Sequence, residues 1–285
     1  MSSFPWRCLL ALVATWFFSA SAAFSQSSWE AVFPGPGGES GSVAFPVGDG
    51  RYFAAVALSE MQAEAGRLRS SGRELPAEVV VDQVSKLVVF HVSGPAERSL
   101  PLAASASKIL GTDLQVQAKG GGSGKATGWV KQLNGKMLPL SLLKVEYAGS
   151  VPRAGTPLTD SSGAVVAIAH QATSARTGYA LPVDVVRRVL EDVQGAGKVS
   201  RGWIGLKLLP QSSVPQVTNV QEGSPSALAG LRPGDILLEV GNRRLSDYAD
   251  AVNAFYYLRP GVTTPVRVKR SAQEISINVT PVEKK

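Results

Sequence analysis

The chain has 285 residues, of which 44% are hydrophobic, 18% charged and 7% aromatic, a balance that excludes a largely disordered polypeptide and leaves room for about two domains. Its formal charge of +7 comes from scattered Lys and Arg with no run of five, so it reads as a solvated basic face, and nothing resembles a groove-reading helix or aromatic platform for nucleic acid. One cysteine and two histidines exclude a disulfide framework and a histidine-built metal cluster, and no cofactor is expected.

The first residues have the pattern of an export signal. Arg7 closes a short basic region, residues 8–18 are apolar, and Ala20-Ser21-Ala22 or Ala23-Phe24-Ser25 offers a small-residue cleavage site, so residues 1–25 read as a secretory signal peptide. The apolar stretch is shorter than the roughly 20 residues that span a bilayer, which favours cleavage over a retained anchor. Cys8 leaves with this segment, and the location implied is periplasmic or otherwise exported.

Residues 26–40 are rich in Ser, Gly and Pro, and Pro34-Gly35-Pro36-Gly37-Gly38 argues against a helix or central strand, so this segment reads as a lead-in arm. Short apolar runs at 41–47, 51–58, 78–81 and 87–92 predict strands, with Gly48-Asp49-Gly50 as a hairpin turn. Without long amphipathic helices between them, they argue for an antiparallel barrel or sandwich. Residues 108–149 repeat the style less clearly. Gly120-Gly121-Gly122-Ser123-Gly124-Lys125 invites a phosphate-loop reading, but Lys119 stands where the first glycine is needed and Ala126 where Ser or Thr is needed, so it reads as a flexible loop.

Next come Pro152 to Leu158, a turn at 160–163 and an apolar run at 164–169. Val185, Val186, Val189, Leu190 and Val193 recur at helical spacing, with Asp184 near the start and Gly195 past the end, and 195–198 reads as a linker. Beyond it, 202–206, 217–220, 236–240, 265–269 and 274–279 predict strands. Residues 224–229 form a short serine-capped helix, and 246–258 a second one with Tyr248, Val252 and Phe255 at i, i+4, i+7 and Ser246 as its N-cap.

Three stretches carry a family resemblance. Gly223-Ser224-Pro225-Ser226-Ala227 and Ala229-Gly230-Leu231-Arg232-Pro233-Gly234-Asp235-Ile236-Leu237 resemble the PDZ domains appended to bacterial proteases. Pro152-Arg153-Ala154-Gly155-Thr156-Pro157-Leu158 resembles the Gly-x-Ser-Gly-Gly-Pro-Leu nucleophile loop of chymotrypsin-like proteases. Tyr179 to Asp184, followed after the helix by Arg201-Gly202-Trp203-Ile204-Gly205, resembles the domain junction of the HtrA/Deg family of envelope serine proteases. The resemblance is strong after Pro152, fair over 41–102 and poor over 111–147. It implies a mainly β protein: a chymotrypsin-like double β-barrel in residues 41–197 followed by a small α+β PDZ domain in residues 200–282.

Each catalytic position departs from the family pattern. Matching its motifs puts Leu58 at the histidine position, Lys86 at the aspartate, Ala154 at the serine, and Pro152 where a second oxyanion N–H is expected. Leucine and lysine cannot act as base and orienting carboxylate, and proline has no N–H to give. A substitute site would have to use His91, His170, Ser161, Ser162 or Lys86. The resemblance implies instead a pseudoprotease that keeps a peptide site at Trp203, Ile204, Gly205 and Leu206, with Tyr248, Val252 and Phe255 on the facing helix. Its expected partners are polypeptide C-termini or unfolded envelope proteins and an active protease homologue, with trimer contacts through Trp29 and Phe33. Two rivals stand beside it: an active endopeptidase whose residues are misregistered, and a structural component whose PDZ groove is packed shut.

Overall fold

The computed structural model describes residues 29–58, 61–210 and 212–283, so the expected signal peptide and its cleavage site lie outside the described residues. Eight strands come first: β1 (Trp29–Gly35), β2 (Gly38–Val43), β3 (Phe45–Val47), β4 (Tyr52–Val56), β5 (Arg67–Ser70), β6 (Arg73–Leu75), β7 (Glu78–Val81) and β8 (Leu87–His91). They form two four-stranded sheets, ordered β2-β1-β5-β6 and β3-β4-β8-β7, which pack around one apolar core as an open first barrel.

The uninterrupted apolar runs of β4 and β8 are explained by burial on both faces. Phe53, Ala55, Val88 and Phe90 join Trp29, Phe33 and Leu68 inside the first barrel, while Ala54, Val56, Leu87 and Val89 face the second half of the molecule. Each phenylalanine buried in this way contributes about 1.5–3 kcal/mol of transfer free energy.

A closed six-stranded barrel follows, built from β9 (Asp113–Val116), β10 (Ser123–Leu133), β11 (Lys136–Tyr147), β12 (Pro157–Thr159), β13 (Val165–Ala172) and β14 (Thr177–Pro182) in the order β10-β11-β14-β13-β12-β9. Helix α1 (Val183–Ala196) then packs all five of its helix-spaced apolar residues, Val185 to Val193, between the barrels. The remaining elements are β15 (Gly202–Trp203), β16 (Leu206–Leu208), β17 (Val217–Val220), α2 (Pro225–Leu228), β18 (Ile236–Val240), β19 (Arg243–Arg244), α3 (Tyr248–Tyr256), β20 (Thr264–Arg270), β21 (Gln273–Val279) and β22 (Val282–Glu283), with their own apolar core.

Several expectations are corrected. The lead-in arm is the β1–β2 hairpin of the first barrel, so that barrel begins at Trp29 and not at residue 41. Pairing of β1 with β5 ends at Val32, which leaves Pro34 and Gly35 paired on one side only, where a missing donor is tolerated. Trp29 and Phe33 are core residues, the Trp29 ring lying 4.5 Å from that of Phe53, so neither is free to contact another subunit. Gly195 lies within α1, whose left-handed cap is Gly197 with φ of 65°. Helix α3 is capped by Asp247, which accepts from the Asp250 N–H at 2.8 Å, and Ser246 stays outside it.

The unclear stretch at 108–149 holds the two longest strands, β10 and β11. Asn134 and Gly135, with φ of 50° and 75°, turn one into the other, and an Asn-Gly pair is a strong hairpin signal that the sequence reading passed over. Lys125 lies on β10 and not at a helix start, consistent with the failed phosphate-loop match.

Candidate functional site: the loop at Ala154 and the groove at Gly205

The loop at Pro152 to Thr156 is fastened to the first barrel. The Ala154 carbonyl accepts from the Val43 N–H at 2.8 Å and from the Ser42 hydroxyl at 3.0 Å, while the Gly155 N–H donates to the Ala169 carbonyl at 2.8 Å. Arg153 pairs with Glu30. Gly155 has φ of 83°, and a Cβ there would lie 1.9 Å from the Val43 carbonyl oxygen, so only glycine fits.

Leu58 and Ala154 pack against the same apolar cluster, between the barrels. Lys86 sits in a turn with φ of 61° and reaches Gln83 at 3.4 Å. These positions present an isobutyl group, a methyl group and an ammonium.

The substitute candidates are dispersed. His91 stacks on Tyr52, ring centroids 4.7 Å apart, and its Nδ1 lies 3.4 Å from Glu78. His170 is held at the bulge between Ala169 and Gln171, its Nδ1 has no hydrogen-bond partner, and burial pushes its imidazole down to about 4. The Ser162 hydroxyl donates to Asp160 at 2.6 Å. Among the described residues, no hydrogen bond joins any two of His91, His170, Lys86, Ser161 and Ser162.

Sequence reasoning missed a buried polar cluster. Asp82 accepts from the Ser85 hydroxyl at 2.6 Å and the Tyr256 hydroxyl at 2.6 Å, and pairs with Arg201, whose guanidinium lies 4.2 Å from the centre of the Tyr256 ring. Burial alone would raise the Asp82 carboxyl, but the Arg201 charge and these hydroxyls outweigh it and hold it below its ordinary value. Asp82 belongs to the first barrel, Arg201 to the segment after α1, and Tyr256 to α3, so three distant stretches meet in one site. The signal available was an aspartate in a turn followed at once by an apolar strand, which alone names no partner.

The residues expected to bind peptide lie on β15, β16 and α3 and in the turn between the two strands. Among the described residues, strand β16 pairs only with β17, leaving its other edge without a neighbour. Gly205 has φ of 75°, and a Cβ there would lie 2.2 Å from that of Ser224 and 2.8 Å from the Trp203 ring. The Ile204 carbonyl is tied to the Ser226 N–H at 2.9 Å and the Gly205 carbonyl to the Gln221 N–H at 2.8 Å, whereas among the described residues the N–H groups of Ile204 and Gly205 find no acceptor. On α3 the fully buried residues are Ala249, Ala251, Ala254 and Tyr256. Tyr248, Val252 and Phe255 are half-buried, and Tyr248, Phe255 and Leu206 pack on the margin of the C-terminal core.

Residues 202–280 match the PDZ domain family. Over 237 residues the chain is 27% identical to a probable periplasmic serine endoprotease, DegP-like, of Halomonas elongata, covering 74% of this chain and 49% of that protein. It is 26% identical over 230 residues to a protein of the same description from Hahella chejuensis, covering 73% and 49%. The HtrA-type protease AlgW with tripeptide superposes with a TM-score of 0.63 at 19% identity, covering 91% of this chain and 94% of that one. Along this length the chain is similar to DegP-like serine endoproteases, and its fold is that of the HtrA-type proteases.

The chain spans about half the length of the curated relatives it matches. A serine endoprotease from Yersinia pestis shares the fold, with a TM-score of 0.58 at 20% identity over 91% of this chain. The mainly β, protease-like barrels followed by a PDZ domain agree with the architecture expected from the sequence.

Proposed function

We propose that this chain is a catalytically inactive HtrA-like protein of the cell envelope that binds polypeptide C-termini or unfolded segments through its PDZ domain. It would serve as an adaptor, a chaperone-like holdase or a regulator of an active protease. The relatives described as periplasmic support an envelope location.

The observation that carries the binding half is the bare edge of β16 beside the unpartnered N–H groups of Ile204 and Gly205. A peptide adds there as a further strand, its terminal carboxylate received by those N–H groups. Its last side chain enters between β16 and the Tyr248, Val252 and Phe255 side of α3.

Inactivity is supported by the chemistry of the cleft. Amide attack needs a hydroxyl, a base and a carboxylate, and Ala154, Leu58 and Lys86 supply none of these. Loss of a triad serine or histidine costs on the order of a millionfold in rate. Losing one oxyanion donor, as proline at position 152 would, costs a further 2.7–4 kcal/mol or so.

Two assays on one preparation test the reading. Purified full chain is expected to leave fluorescein-labelled casein intact, and to bind members of a decapeptide library with free C-termini but not their C-terminal amides. Casein hydrolysis blocked by a serine-directed phosphonate would overturn the inactive reading. Failure of every free-carboxylate peptide to bind at micromolar concentration would overturn the binding one.

A further inference from the structure

The hairpin of β10 and β11 carries an irregularity that the barrel itself does not require. Its register runs from Val130 opposite Leu142 to Gln132 opposite Met137, so the single residue Lys131 on β10 faces Leu138, Pro139, Leu140 and Ser141 on β11. A bulge of this kind frees backbone groups from the ladder and re-aims side chains. Here the freed Ser141 N–H donates to Asn253 Oδ1 at 3.0 Å, and Leu140 turns into the apolar cluster that contains Tyr256. On the facing strand, Lys131 Nζ lies 3.0 Å from the Asp247 carboxylate and 2.7 Å from that of Asp250.

All these partners belong to α3 or its cap. At about 100° per residue, the helix divides into three faces. Ala251 and Ala254 turn to the core of the PDZ domain, Asp250, Asn253 and Tyr256 turn to the barrels, and Tyr248, Val252 and Phe255 take the remaining side. The helix has nine residues, fewer than the 12–15 or so that an isolated helix needs to hold its shape in water.

We propose that the bulged β10–β11 hairpin is a positioning element for the peptide groove, gripping α3 from behind through Lys131 and through the Ser141–Asn253 hydrogen bond. The inference rests on the peptide-binding reading above and adds that residues of the protease-like barrel set the affinity without touching the peptide. A wall held in its bound position removes the ordering cost that binding would otherwise incur.

The test uses the full chain and the tightest free-carboxylate decapeptide selected on the wild type. Lys131→Met and Asn253→Ala are each expected to weaken that peptide roughly fivefold through lost preorganisation, and Lys131→Arg to bind like the wild type. Amide hydrogens of α3 in the peptide-free protein should exchange faster in Lys131→Met. Raising the salt concentration should weaken wild-type binding toward that of Lys131→Met, because the ion pairs are partly exposed. Wild-type affinity in both Lys131→Met and Asn253→Ala overturns the clamp while leaving the peptide site intact. A selection on the wild type that returns no peptide overturns both.

Discussion

His170 ties the stability of the second barrel to pH. Its imidazole is buried with Nδ1 unpartnered and pushed down to about 4, whereas the unfolded chain binds that proton near the ordinary value of 6.5. Between those two values the unfolded state holds more protons, so stability falls as the pH drops from 6.5 to about 4, by up to about 3 kcal/mol. Urea unfolding at pH 6.5 and 4.5 should show this loss in the wild type and a much smaller one in His170→Phe. Gly155 makes a different demand, because an added Cβ would run into the Val43 carbonyl and the backbone is left-handed there. Gly155→Ala is expected to cost roughly 3 kcal/mol in urea unfolding, in the range that backbone strain and overpacking produce together. On the inactive reading proposed above, placing the triad residue types at the positions matched by resemblance, with Leu58→His, Lys86→Asp and Ala154→Ser combined, should still give no measurable casein hydrolysis. On that reading Pro152 would withhold an oxyanion donor, and the Ala154 carbonyl is bonded to Val43 and Ser42.

At the scale of elements, α3 joins the halves of the molecule and, in the proposed function, walls the peptide groove. Its Tyr256 hydroxyl and the Arg201 guanidinium both meet Asp82, which is 2% exposed. Removing Arg201 leaves a buried carboxylate without its counter-charge, so Arg201→Ala should cost about 3 kcal/mol, against about 1 kcal/mol for the single hydroxyl lost in Tyr256→Phe. The folded Asp82 carboxyl sits below its ordinary 3.8, so its contribution is complete above that value and disappears as the pH falls below it. Arg201→Ala should therefore abolish acid sensitivity in that low window while leaving the His170 window unchanged. Elements with strong local signals, such as α1 with its five spaced apolar residues and the strand pair at 236–240 and 265–269, were legible from the sequence. The β1–β2 hairpin was not, because its prolines and glycines fall where the strand has only one neighbour, and no local rule reveals how many neighbours a strand has.

Across the whole molecule, the barrels and the PDZ domain share polar contacts at Asp82, Lys131, Ser141, Asp184 and Arg188. Arg188 is 3% exposed and donates to the carbonyls of Ser200 and Leu258, and Arg243 lies 3.4 Å from Asp184 while stacking on Tyr257. Domains joined by a flexible linker alone unfold separately. This chain is expected to unfold in one calorimetric transition, and Arg201→Ala to split it into two. Two transitions in the wild type would show that these contacts do not couple the halves.

The sequence by itself determined the local and the chemical. It set the strand and helix periods, the PDZ signature from Gly223 to Leu237, and a leucine, a lysine and an alanine at the positions that resemblance matches to a catalytic triad. These follow from residue type and spacing, which need no partner to be read. Only the tertiary structure decided that Trp29 and Phe33 are core, that Asp82 finds Arg201 and Tyr256, and that a bulge in β11 turns Ser141 toward Asn253. Such pairings join residues 112 to 174 positions apart. Contacts that distant are fixed by how complete barrels and domains pack, and a buried polar group finds its partner through that packing and not through its neighbours in the chain.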